Sequence, residues 1–145
     1  MLREAAEQDI KRVETTTIGG RSVPVTAGPK TVIKFAGGRN GPQEAGDYEF
    51  WSAITSSGLS LTGRALAGGD PGERFRRTES SKGDQSSWET MERDPVQRVR
   101  PALRSEVERW INDKTGDAPH AQGGEVGGTA VRVEKQGDRY VLVDA

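Results

Sequence analysis

Twice along this chain a run rich in β-branched residues meets a glycine turn and then resumes. Val13-Glu14-Thr15-Thr16-Thr17-Ile18 leads into Gly19-Gly20 and continues as Arg21-Ser22-Val23-Pro24-Val25-Thr26. Residues 129–135 alternate, turn at Gln136-Gly137-Asp138 and return as Arg139-Tyr140-Val141-Leu142-Val143. Two such runs joined by residues that accept positive φ are a strong short-range hairpin signal. Both stretches are therefore committed to antiparallel pairing. Pro24 has no backbone N–H, which puts its strand at an edge or the proline at a non-bonding position. Ala27-Gly28-Pro29 reads as a turn and Thr31-Val32-Ile33-Lys34-Phe35 as a third strand. Leu59 and Leu61 alternate with serine and threonine and suggest a short fourth.

Helical periodicity is found elsewhere. Leu2, Ala6, Ile10 and Val13 give residues 2–13 a narrow apolar stripe. The longest expected helix covers 95–113. Asp94 is a suitable N-cap and Pro95 a suitable first residue, and Val96, Val99, Leu103, Val107 and Trp110 follow at steps of three and four. Pro101 should kink that helix near Arg100. Residues 43–56 fit a helical face only in part, at 47/50/51/54 spacing, and Gly46 weakens it. Their aromatic density makes Phe50 and Trp51 the expected centre of the core. Taken together the elements predict an α+β fold in one domain: a small antiparallel sheet, a long helix packed on one face, and long polar loops at about 68–94 and 116–128.

Composition bounds the function. The 145 residues carry 21 basic and 22 acidic side chains, a formal net charge of -1. That balance argues against a polycation that coats nucleic acid and against an acidic tail. The absence of cysteine excludes disulfide scaffolds, thiol catalysis and cysteine-ligated metal sites. No apolar run is long enough to cross a bilayer as a helix. Acidic residues stand where a signal peptide needs its apolar core, which predicts no secretion by that route and an intracellular chain or a particle subunit.

The motifs that resemble sites are weak. Gly28-Pro29-Lys30-Thr31 is similar to the end of a phosphate loop, but Val23 stands where the first glycine belongs. Gly123-Gly124-Glu125-Val126-Gly127-Gly128 has paired glycines without basic residues, and reads as a linker. His120 is the single histidine, in a Gly-rich loop with no local metal partners. Asp70 and Glu73 flank a Pro-Gly turn and read as part of it. No catalytic, metal or cofactor site is expected.

Interface chemistry is better represented. Arg74-Phe75-Arg76-Arg77 is the densest basic cluster, but acids flank it and nearly cancel its charge. Trp88 and Met91 share a face at i, i+3 within a very polar stretch. Aromatic residues, methionine and arginine are the types enriched at protein contacts. Phe75, Arg76, Arg77, Trp88 and Met91 are therefore the expected interface set. The partners would be other proteins or copies of the chain, with nucleic acid and membrane disfavoured. The function that follows is a non-enzymatic structural or assembly subunit, for example of a virus particle or tail-like complex. The alternatives are a small inhibitor or immunity-type binding module, and a small hydrolase or nuclease whose carboxylates converge only in the fold.

Overall fold

The computed structural model describes residues 14–37, 42, 44–76, 89–113 and 118–145. The helix expected at 2–13 lies outside them, as do Arg77 and Trp88. Nine strands form one sheet: β1 Glu14–Ile18, β2 Arg21–Val25, β3 Val32–Phe35, β4 Gly46–Thr55, β5 Ser60–Leu66, β6 Val96–Pro101, β7 Ala121–Val126, β8 Thr129–Gln136 and β9 Arg139–Asp144. Two helices carry labels here, α1 Glu73–Arg76 and α2 Arg104–Asp113. A helical turn occupies 89–93 and a 3₁₀ turn Ala118–His120. The strand order is β1-β2-β6-β4-β3-β7-β8-β9, with β5 on the other edge of β4.

This corrects the expected α+β architecture. The sheet is large, its helices are short, and no long helix packs across a small sheet. Residues 96–101 are a strand, and only the second half of the expected helix is helical. The cause is a β-bulge. Ile54 faces Arg98 while Thr55 faces Val96, so Gln97 is an extra residue on β6. The bulge turns the two-residue alternation of a strand into a three-residue step. Val96 and Val99 are both buried as a result, at the spacing of a helix face. Asp94 caps no helix. Its carboxylate accepts from the hydroxyls of Thr55 and Ser57 and from the backbone N–H of Ser57, and so pins the β4–β5 turn.

The hairpins at Gly19-Gly20 and Gly137-Asp138 form as the sequence implies. Gly19 and Gly20 have φ of 59° and 77°, the positive pair that a type I′ turn needs. Pro24 falls on the side of β2 that faces β6. The missing N–H there matches a pairing that amounts to one bridge, Val25 to Val99.

The expected linker at 116–128 is also corrected, because Ala121–Val126 is strand β7 between β3 and β8. Its glycines are set by close approach rather than by flexibility. A Cβ on Gly124 would lie 1.9 Å from the Val32 carbonyl oxygen, so no other residue fits that backbone.

β4 organises everything else. One of its edges pairs with β3 over residues 46–49 and with β6 over 51–55; the other pairs with β5. At the changeover the Phe50 N–H donates to Thr31 O, and Phe50 O accepts from the Ala102 N–H. Thr31, almost fully buried, ties the two flanks by donating its hydroxyl to Ala102 O at 2.7 Å. Both faces of β4 are covered, so its side chains divide by parity into two cores. Tyr48 and Phe50 enter one with Ile33, Phe35, Val107, Ile111, Val131 and Leu142. Trp51 and Ala53 enter the other with Ile18, Val23, Val25, Phe75, Met91, Val96 and Val99.

Candidate functional site

Three constructions place the polar residues. The first is a pair of buried carboxylates, one on each face of β4. Glu49, on the Trp51 face, accepts from Arg74 Nη2 at 2.9 Å and from the Gly68 N–H at 2.7 Å; Lys30 Nζ stands 3.0 Å from its other oxygen. Arg74 is fully buried. Burial pushes the Glu49 carboxyl up, but the Gly68 N–H, the Lys30 ammonium and the Arg74 guanidinium more than offset it, and its pKa is lowered. Lys30 thus ends in an ion contact and not in a phosphate loop.

On the Phe50 face, Glu106 of α2 accepts from Ser52, Ser60, the Leu103 N–H and both terminal nitrogens of Arg100. Burial again pushes the carboxyl up, and Arg100, Ser60, Leu103 and Ser52 bring it down to about 2. The bond to Leu103 is the returning half of a capping box, with Leu103 at the N-cap. Leu103 is consequently 52% exposed rather than part of a buried stripe.

The second construction guards the ends of the sheet. A two-residue turn before β9 leaves the backbone groups of Tyr140 and Leu142 facing away from β8. α2 runs along that edge. Asn112 donates to Tyr140 O at 2.8 Å and accepts from Tyr140 N–H at 2.9 Å; Glu108 accepts from Leu142 N–H at 3.0 Å; Arg104 pairs with Asp144 at 2.6 Å. Residues four apart on a helix rise about 6 Å and residues two apart on a strand about 6.6 Å, so the side chains at 104, 108 and 112 track 144, 142 and 140. At the opposite end the Asp70-Pro71-Gly72 turn lies against β1. Asp70 accepts from the Thr16 hydroxyl, which itself accepts from the Gly72 N–H. A Cβ on Gly72 would come within 2.7 Å of Thr17 O. Asp70 and Glu73 are therefore the turn that their sequence implied. An unpaired strand edge invites pairing with another chain, and helix and turn obstruct it here.

The third construction is a cleft of about 200 Å³ between the β1–β2 hairpin and residues 91–96. Ile18, Met91 and Val96 form its apolar floor. Gly19 and Arg21 form one wall, Glu92 and Pro95 the other. Arg21 and Glu92 are exposed, and no ion pair joins them to each other or to another described residue. A shallower depression of about 390 Å³ lies over β3, β4 and β7, where Lys34 sits beside Asp47 and Glu125.

Of the expected interface residues, Phe75 and Met91 fall in one buried core, on the Trp51 face of β4. Met91 lines the cleft floor. Phe75 is buried in its own core against β5, where a Cβ on Gly63 would touch its ring at 3.2 Å. Arg76 closes α1. His120 ends a 3₁₀ turn, and its carbonyl accepts from the Ala36 N–H at 2.9 Å. Among the described residues no group of three histidine or acidic side chains is placed to hold a metal ion, and no helix is long and apolar enough to cross a membrane.

Nothing in the sequence marks Arg64 as special. Its guanidinium lies 4.3 Å from the Trp110 ring centroid and 4.8 Å from those of Phe35 and Tyr48. An arginine that follows a single glycine carries no local sign of that cage, whose three rings come from β3, β4 and α2. Compared with known protein families, curated proteins and solved structures, the chain matches none.

Proposed function

We propose that this chain is a non-enzymatic assembly subunit that works by binding other protein chains. The observation that carries the reading is the lining of the cleft beside the β1–β2 hairpin. It offers a floor of isoleucine, methionine and valine with one arginine and one glutamate at the rim. That is the make-up of a protein contact, an apolar centre with a polar border. The two buried carboxylates support the same reading. Both are held ionised by several donors apiece, an arrangement that fixes structure and leaves neither oxygen pair poised to take a proton at neutral pH. The proposal extends to virus-particle or tail-like complexes only as examples of such assemblies.

The test is the mass of the chain in its own source, measured under native conditions after gentle extraction and cross-linking. Recovery in a species well above 15.7 kDa, with cross-links that include residues 18–21 or 91–96, is the expected result. Recovery as a free single chain contradicts the reading.

A further inference from the structure

The cleft and the turn beside it carry a more specific conclusion, which rests on the assembly reading. The β4–β5 turn is bolted to the wall of the cleft. Ser56 N–H donates to Pro95 O at 2.9 Å, and Ser57 N–H donates to the Asp94 carboxylate at 3.1 Å. The same turn carries Leu59. Its backbone is fixed by bonds to Thr55 at both N–H and carbonyl, yet it is 45% exposed. A hydrogen-bonded turn thus presents a large apolar side chain to solvent beside a cleft with an apolar floor and polar walls. The rim of that cleft has one positive and one negative side chain on opposite walls, neither paired within the described residues.

We infer that this face binds a second copy of the chain about a two-fold axis, with Leu59 of each copy seated in the cleft of the other. In a two-fold contact residue i meets residue j and j meets i, so the patch has to be complementary to itself. A knob with a hole, and a cation with an anion, satisfy that requirement on one surface. Arg21 of each copy then faces Glu92 of the other. A net charge of -1 leaves little long-range repulsion between copies to oppose the approach. Strand-to-strand joining, a competing mode of self-association, is obstructed at β9 by α2 and at β1 by the Asp70–Gly72 turn, which leaves the outer edge of β5 as the edge through which it would run.

Charge reversal tests the inference with the purified full chain, by sedimentation over a concentration series. The wild type is expected to form a dimer reversibly. Arg21→Glu places like charges at both contacts and Glu92→Arg does the same with the opposite sign. Each variant alone should associate about tenfold or more weakly. Mixed in equal amounts, the two should pair with each other to within about threefold of wild type, because both contacts become complementary again. Leu59→Asp should abolish association, and its melting curve checks that the monomer still folds. A wild type that stays monomeric throughout overturns the inference. So do single variants that associate like wild type, or a mixture no tighter than its components. A pure chain that is monomeric, yet comes from its source in a heavier complex, removes this face and leaves the assembly reading standing.

Discussion

The two carboxylates of β4's flanks are held by different sets of donors. Glu49 has two cations and one backbone N–H, with the fully buried Arg74 and Gly68 on one oxygen and the exposed Lys30 on the other. Glu106 is satisfied by hydrogen bonds as well as charge: two hydroxyls, one backbone N–H and a two-point contact from Arg100, whose side chain keeps 21% of its surface in water. The Glu49 side is also the less complete. Arg74 Nε and Trp51 Nε1 are buried with no hydrogen-bond partner among the described residues. A buried charge whose one strong partner is itself buried is vulnerable to loss of that partner. A carboxylate with many donors, beside a cation that water can reach, is not.

The largest expected effect exploits that difference. Arg74→Met should cost about 3–5 kcal/mol in denaturant melts, because Glu49 stays buried with only the Gly68 N–H and the exposed Lys30 to hold its charge. Arg100→Met should cost no more than about 1–2 kcal/mol, since Glu106 keeps its hydroxyl and backbone donors. Equal losses would erase the distinction. Adding Glu49→Leu to Arg74→Met should bring back most of that loss, short of about 1–2 kcal/mol for the Gly68 N–H that then lacks its acceptor. The matching pair Glu106→Leu with Arg100→Met should not recover, because Ser52, Ser60 and the Leu103 N–H would lose their acceptor.

Acid comes next. The folded Glu106 carboxyl, at about 2, lies below its ordinary value of 4.5. Its contribution is therefore complete above about pH 4.5 and is lost as pH falls toward 2, amounting to about 3 kcal/mol. The lowered Glu49 carboxyl acts in the same direction. Denaturant melts repeated down that range should show the decline, and Glu106→Gln should flatten most of it. A wild-type slope unchanged in Glu106→Gln would assign the acid sensitivity elsewhere.

Smaller effects come from α2, the helix that carries Glu106 and runs along β9. Asn112→Ala removes two bonds to the β9 edge and should cost about 1–2 kcal/mol. Hydrogen exchange should locate the loss at the Tyr140 amide. Leu103→Ala should change stability by less than about 0.5 kcal/mol, since the side chain is half in solvent. A loss of several kcal/mol at Leu103 would restore the buried stripe implied by the spacing of Val96, Val99, Leu103 and Val107.

The parts of this fold that could be read in sequence are those where local chemistry and tertiary environment agree. β1, β2, β3, β8 and β9 each have one buried face or a turn that only glycine makes easily, so alternation and Gly-Gly or Gly-Asp pairs revealed them. β4 did not show itself because it is covered on both faces, and a strand buried twice has no alternation to detect. β6 imitated a helix through its bulge. β7 looked like a linker because its glycines answer to Val32 and Val131 across the sheet, not to their neighbours in the chain. The cleft was legible only in Met91. Arg21 and Glu92 line one cleft although they are far apart in the chain, and no motif records that meeting.

The central structural claim is that β4 is a wall, with neighbouring aromatic residues in separate cores. Nuclear Overhauser contacts among the aromatic side chains test it most directly. Phe50 should show cross-peaks to Trp110, whose ring centroid is 5.3 Å away, while Phe35 should connect to Tyr48 at 5.5 Å. Trp51 should connect instead to methyl and aromatic groups of the Ile18, Phe75, Met91 and Val99 core, with none to Trp110. Cross-peaks from both Phe50 and Trp51 to Trp110 would place the two rings on one face of a helix and contradict the account.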